Sequence, residues 1–193
     1  MTAKLQLDSN IPPNSPLDHH KMTPNGKEIW DRSYAKEYMG LHESQQAWKY
    51  ISQHGYDNLK KYTRTALPSM SIAVIKRDEH GKPFKVKYRI VVLGNMDPNY
   101  WDKSDCYAPV MSHLEPRILL SLAVQSSTAI YSGELSQAFC QSFLPEGENY
   151  VIKPPRGCPI TPPKTYLLLR KTLFGLKRSP RHWLTKHHQP LNL

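Results

Sequence analysis

Between Met70 and Leu93 the chain carries its most restrictive pattern. M-S-I-A-V-I-K-R (Met70–Arg77) alternates with the two-residue period of a strand. Asp78, His80 and Gly81 then supply turn chemistry, and F-K-V-K-Y-R-I-V-V-L (Phe84–Leu93) reads as the returning strand. Two such runs around a short turn predict an antiparallel hairpin. In its second strand Phe84, Val86 and Tyr88 share one face, and Lys85, Lys87 and Arg89 share the other. One face is thus apolar and needs a cover, while the other is strongly basic.

Trp30, Tyr34, Tyr38 and Leu41 recur at helical spacing from Glu28 onward, predicting an amphipathic helix whose aromatic stripe packs on a core. Ser112 and Glu115 form an S-x-x-E capping box with Pro116 in the first turn. The helix that follows, through Val124, is expected to pack on a buried strand at Thr128–Tyr131, which leads to S-G-E-L-S-Q-A-F. A short strand at Tyr150–Lys153, a Pro-rich loop, a strand at Thr165–Leu169, a basic loop and a last helical turn complete the pattern. Hairpin-connected strands mixed with helices place the chain in the α+β class. Residues 1–26, with Pro12, Pro13, Pro16 and Pro24, are expected to be a disordered leader. The folded body is expected over residues 27–190, and residues 191–193 form a tail.

Charge narrows the partners. The net charge is +10, and the last thirty residues hold Lys164, Arg170, Lys171, Lys177, Arg178, Arg181 and Lys186 without one acid. With the basic hairpin, this makes a second cationic cluster, and a polyanion such as nucleic acid is the natural partner. The longest stretch free of charge, Ile118–Gly133, is too short and too polar for a membrane span. Three cysteines at wide spacing, with no C-x-x-C, fit reduced thiols in the cytoplasm or nucleus, and no secretory pattern opens the chain. A zinc site from Cys158, His182, His187 and His188 lacks any established ligand spacing, and Cys140 reads as core. Asp97, Asp102 and Asp105 read as turn and cap residues.

Five blocks in order carry a resemblance: K-V-K-Y-R-I-V-V-L-G, Y-A-P-V with E-P-R-I-L-L-S-L-A, Y-S-G-E-L-S-Q-A-F, Y-V-I-K-P-P-R-G-C-P, and L-F-G-L-K-R-S-P-R-H-W. Together they resemble copia-type retrotransposon reverse transcriptases over residues 28–190. The resemblance implies a right-hand polymerase fold, here a fingers hairpin and an incomplete palm. It implies RNA-directed DNA polymerase (nucleotidyltransferase) chemistry, with Mg²⁺ ions clamping the attacking and leaving oxygens. An RNA or DNA template-primer and a deoxynucleoside triphosphate are the implied partners, with no membrane. Lys87 and Arg89 match the family's triphosphate-contacting positions. Glu134 stands where the family has its first metal-binding Asp, and Phe139 matches the position shaping the nucleotide pocket. Gly175, Leu176, Lys177, Ser179 and Pro180 match the loop bordering nucleotide and template, with Lys177, Arg178 and Arg181 as backbone-phosphate contacts.

Two departures from the family bear on function. Glu134 replaces Asp, and its extra methylene displaces the oxygens; a misplacement of about 1 Å costs roughly 100-fold in a reacting constellation. No Y-x-D-D occurs in the sequence. The expectation is therefore a truncated copia-type reverse transcriptase, inactive alone, its palm edge uncovered and its missing polyprotein remainder a partner. The alternative is a non-catalytic basic nucleic-acid-binding module derived from it.

Overall fold

The computed structural model describes residues 24–63, 65–156 and 160–187. Helix α1 (Pro24–Met39) starts inside the stretch expected to be leader, with Pro24 tolerated in the first turn because its missing N–H would have no helical partner there. Residues 1–23 and the 191–193 tail lie outside the described residues. Trp30, Tyr34 and Tyr38 are buried along one side of α1, and Leu41 follows in a π turn (Gly40–Ser44). The stripe is therefore core, as its spacing predicts.

What it covers is the hairpin. Strands β2 (Ser69–Arg77) and β3 (Pro83–Val92) pair antiparallel, with Ala73 opposite Tyr88 and Val74 opposite Lys87. The Asp78 carboxylate accepts from the His80 and Lys82 N–H groups and shapes the turn. Trp30 and Tyr34 meet the Tyr88 ring edge-on at 5.3 and 5.2 Å, an arrangement suited to the ring quadrupoles. Val86, Tyr88, Ile90 and Val92 are buried here, whereas Phe84, near the hairpin tip, is exposed. The apolar and basic faces separate as the alternation requires.

A second sheet was not legible in full. Strand β1 (Trp48–Ser52) is followed by α2 (Gln53–Leu59), whose N-cap Ser52 accepts from the Gly55 N–H at 3.2 Å. A short helix α3 (Lys103–Cys106) and α4 (Leu114–Gln125) come next. Strands β4 (Val151–Ile152) and β5 (Thr165–Leu169) fall where expected, and all three strands form one antiparallel sheet in the order β1-β5-β4. Helix α5 (Ser179–His187) ends the described chain. Leu67 ties hairpin and sheet together, its N–H donating to Val151 O and its carbonyl accepting from Lys153 N–H.

Two expectations fail together. Thr128–Tyr131 is not a buried strand but exposed coil, with Tyr131 92% exposed. Helix α4 forms, with Glu115 accepting from the Ser112 hydroxyl, yet none of its residues is buried. A lone strand leaves its N–H and C=O groups without a ladder, so this segment gains nothing by extending. The helix meant to lie on that strand then has no surface to cover. Leu119, Leu120, Leu122 and Val124 stay exposed.

Candidate functional site

The basic face of β3 opens onto a cleft of about 470 Å³. Lys85, Lys87 and Arg89 enter it from β3, and Lys36 and Glu37 from α1. Glu134 and Gln137 reach it from the coil before a 3-10 turn (Ala138–Gln141), and the Phe174 ring borders it. Three residues chosen from sequence, Lys87, Arg89 and Glu134, thus share one cavity. Alternation puts the cations on one face, and α1, packed on the opposite apolar face, supplies the neighbouring wall.

Phe139 does not line the cleft. It packs edge-on against Phe174 with centroids 5.0 Å apart, so the ring facing the cavity is Phe174. The Phe174 backbone is fastened to β3: its carbonyl accepts from the Val92 N–H at 2.8 Å. This approach requires glycine. A Cβ on Gly94 would stand 2.1 Å from the Gly175 carbonyl oxygen, and one on Gly175, at φ +94, would stand 2.0 Å from the Val92 oxygen. Phe174, inside the quoted L-F-G-L-K block, could have been found there.

Glu37 was also missed, though its position carries a signal. It lies three residues beyond Tyr34 and beside Tyr38, on the stripe that α1 buries, where an unpaired acid is rare. Burial raises its pKa above the usual carboxylate value. The neighbouring Gln137 side chain, attraction from Lys87 and Arg89, and the Ile90 backbone oppose that rise. Burial likewise pushes the Cys140 thiol up to about 12, with the nearby Glu37 charge adding to it. Cys140 is fully buried in the 3-10 turn, a core residue as expected though not on an α-helix face.

The basic loop lies elsewhere. Neither Lys177, Arg178 nor Arg181 lines the cleft. Arg178 closes an ion pair with Glu148 and stacks 4.4 Å from the Trp101 ring centroid. His182 Nε2 meets the other Glu148 oxygen at 3.2 Å. Lys177 Nζ donates to the Asp97 carbonyl at 3.4 Å, and Ser179 Oγ donates to the Leu173 carbonyl at 2.6 Å. Lys177 and Arg181 are exposed, while Pro180 is half-buried in the first turn of α5. Asp97 is buried and accepts from the Asn99 N–H and the Trp101 Nε1–H, both at 3.0 Å, while Asp102 and Asp105 form a capping box on α3. All three acids serve turns and caps. Of the zinc reading, Cys158 and His188 lie outside the described residues, and His182 is engaged by Glu148.

The sequence profile described as reverse transcriptase (RNA-dependent DNA polymerase) matches residues 56–192. The chain belongs to the reverse transcriptase family. It is 32% identical over 108 residues to the retrovirus-related Pol polyproteins from transposons RE1 and RE2 of Arabidopsis thaliana, which is 56% of this chain and 7% of each relative. It is 31% identical over 113 residues to the Pol polyprotein from transposon TNT 1-94 of Nicotiana tabacum, 58% of this chain and 8% of that one. The resemblance to copia-type reverse transcriptases therefore stands, and the chain spans less than a tenth of the length of these relatives. No solved structure matches it.

Reverse transcriptases as a family use Mg²⁺, and the described residues do not gather a site for it. No group of three His, Cys, Asp or Glu among them is placed to hold a metal ion. Glu134 is exposed, and the other carboxylate in the cleft, Glu37, is half-buried, with its pKa raised chiefly by desolvation. A two-ion centre needs more free carboxylates than these residues offer. Among the described residues no helix is long and apolar enough to cross a membrane.

Proposed function

We propose that the cleft between α1 and β3 takes the triphosphate of a deoxynucleoside triphosphate, with Lys87 and Arg89 as its phosphate contacts. Cations fixed on a strand lose little freedom on meeting an anion, and charge-assisted bonds to phosphate are the strong ones. The observation that carries the reading is the convergence of Lys87, Arg89 and Glu134 on one cavity. The exposed Lys177 and Arg181, with Gly175 and the Ser179-Pro180 turn shaping their loop, add a surface for RNA or DNA template-primer. Arg178, spent on Glu148, supports that loop rather than contacting phosphate.

The chain does not polymerise by itself on this reading. Glu134 is longer than the Asp of the family, and further carboxylates would come from another stretch of Pol polypeptide. The protein acts in the cytoplasm or nucleus, where nucleic acid is its partner. Titration of a fluorescent deoxynucleoside triphosphate, read by anisotropy at several salt concentrations, tests the site. Affinity is expected to fall tenfold or more, by order of magnitude, when Lys87 and Arg89 are both replaced by Ala. Unchanged affinity in that variant would remove the cleft from consideration. Nucleic-acid binding with no triphosphate binding would favour the second reading, a basic binding module, which the +10 net charge also supports.

A further inference from the structure

The charge pattern sets Glu148 apart. The last thirty residues carry no acidic side chain, so the cations of the loop before α5 and of α5 itself must pair with carboxylates from elsewhere. Glu148 supplies one. It ends a tight turn, its N–H donating to the Pro145 carbonyl at 3.1 Å with Gly147 at φ +88, and the chain runs from there into β4. Its side chain is only 13% exposed, and both carboxylate oxygens are taken, one by the Arg178 guanidinium and the other by His182 Nε2 at 3.2 Å. A carboxylate only accepts, so Nε2 is the ring nitrogen that carries the proton.

The two gripped residues belong to one turn. The His182 N–H donates to the Arg178 carbonyl at 3.0 Å, which puts them one helical turn apart. Each is preceded by an exposed cation, Lys177 before Arg178 and Arg181 before His182. Within α5 neighbouring residues point about 100° apart, so fixing His182 fixes the direction of Arg181. Lys177 Nζ reaches the Asp97 carbonyl only at 3.4 Å, a long contact that leaves its ammonium open to a stronger acceptor. Arg178 is backed by the Trp101 ring at 4.4 Å, and the Trp101 Nε1–H donates to the buried Asp97.

We propose that Glu148 is a positioning residue: by gripping Arg178 and His182 it fixes the start of α5, so that Lys177 and Arg181 meet a nucleic-acid backbone already ordered. The proposal rests on the template-primer reading of that loop. Cations ordered before binding lose less freedom on meeting phosphate.

Removing Glu148 has two effects of opposite sign. Electrostatics alone tightens nucleic-acid binding, because the chain becomes more positive. Loss of positioning weakens it. Anisotropy of a fluorescein-labelled DNA primer annealed to an RNA template, titrated with the full chain, decides between them. Glu148→Met, which fills the space without accepting, is expected to bind about fivefold more weakly, the scale of ordering one or two long side chains. Glu148→Gln, with the same change of charge but an acceptor oxygen kept, is expected to lose less. Affinity for a fluorescent deoxynucleoside triphosphate should stay at the parent value in both, because Glu148 does not line the cleft. Unchanged or tighter template-primer binding in Glu148→Met, or an equal loss for both ligands, would overturn the proposal. Should Glu148→Met fail to fold, Glu148→Gln is judged by the same two titrations. The emission of Trp101, isolated by subtracting that of matching Trp101→Phe chains, reads the grip without ligand and should shift in Glu148→Met; no shift would also overturn it. A template-primer that fails to bind the parent chain, with that shift present, would sink the template reading and leave the grip standing.

Discussion

The guanidinium carbon of Arg89 stands 5.8 Å from the centroid of the Phe174 ring. A cation on β3 is thereby steadied by a ring from the loop after β5, whose own backbone is bonded to the same strand at Val92. Phe174→Ala is expected to weaken triphosphate binding about two- to fivefold, since an exposed cation–π contact is worth roughly 0.5–1 kcal/mol. Arg89→Ala should cost more. Anisotropy titrations of both variants check this, and a larger loss in Phe174→Ala than in Arg89→Ala would show that the ring does something other than steady the cation.

Arg178 should behave as a structural residue. Its pair with Glu148 is largely shielded from solvent, and its guanidinium lies on Trp101. Removing one partner of such a pair strands the other, so Arg178→Ala is expected to lower stability by about 2–3 kcal/mol. The denaturation midpoint of this variant, compared with Lys177→Ala and Arg181→Ala, tests it; the latter two should stay within about 0.5 kcal/mol.

Gly175→Ala should be among the most damaging single-methyl additions in the chain. The new Cβ would meet the Val92 oxygen at 2.0 Å from a φ of +94. A loss of about 2–4 kcal/mol is expected, from overpacking and backbone strain together. Chemical denaturation measures it, and a loss under about 1 kcal/mol would mean that the loop relaxes away from β3.

Helix α4 offers a contrasting test. With none of its residues buried, Leu119→Lys combined with Leu122→Lys should change stability by less than about 1 kcal/mol. The same double variant should bind less of a dye specific for exposed apolar surface and aggregate less. A large loss of stability would show that the helix packs on the body in solution.

Glu37 should leave a pH signature. In the unfolded chain it titrates near 4.5, and in the fold burial raises that value, so the native state holds the proton more tightly. The stability this contributes is fully present below the unfolded pKa and is lost as pH rises through the raised folded one. Glu37→Gln removes the charge and keeps an acceptor, so at about pH 7 it is expected to be at least as stable as the parent, an advantage that disappears below about pH 4.5. Denaturation midpoints at the two pH values check the sign.

Local pattern made much of this protein legible. Alternation placed β2 and β3 and divided their faces; helical spacing picked out Trp30, Tyr34 and Tyr38; short-range chemistry marked Asp78, Asp102 and Asp105, whereas α4 starts one residue later than the Ser112 box predicts, with His113 at its N-cap. Lys87, Arg89 and Glu134 could be named from the resemblance, and the fold gathers them into one cleft. These features depend on neighbours a few residues away, so the chain carries them wherever it goes. Non-local pairing decided the rest. Trp48 finds Leu169 across the chain, Arg178 finds Glu148, and Glu37 and Gln137 come to border one cleft. Thr128–Tyr131 has the composition of a strand, but a strand becomes one only when a ladder partner arrives. An apolar or charged side chain announces in sequence what kind of surroundings it needs, and only the assembled fold determines whether it gets them.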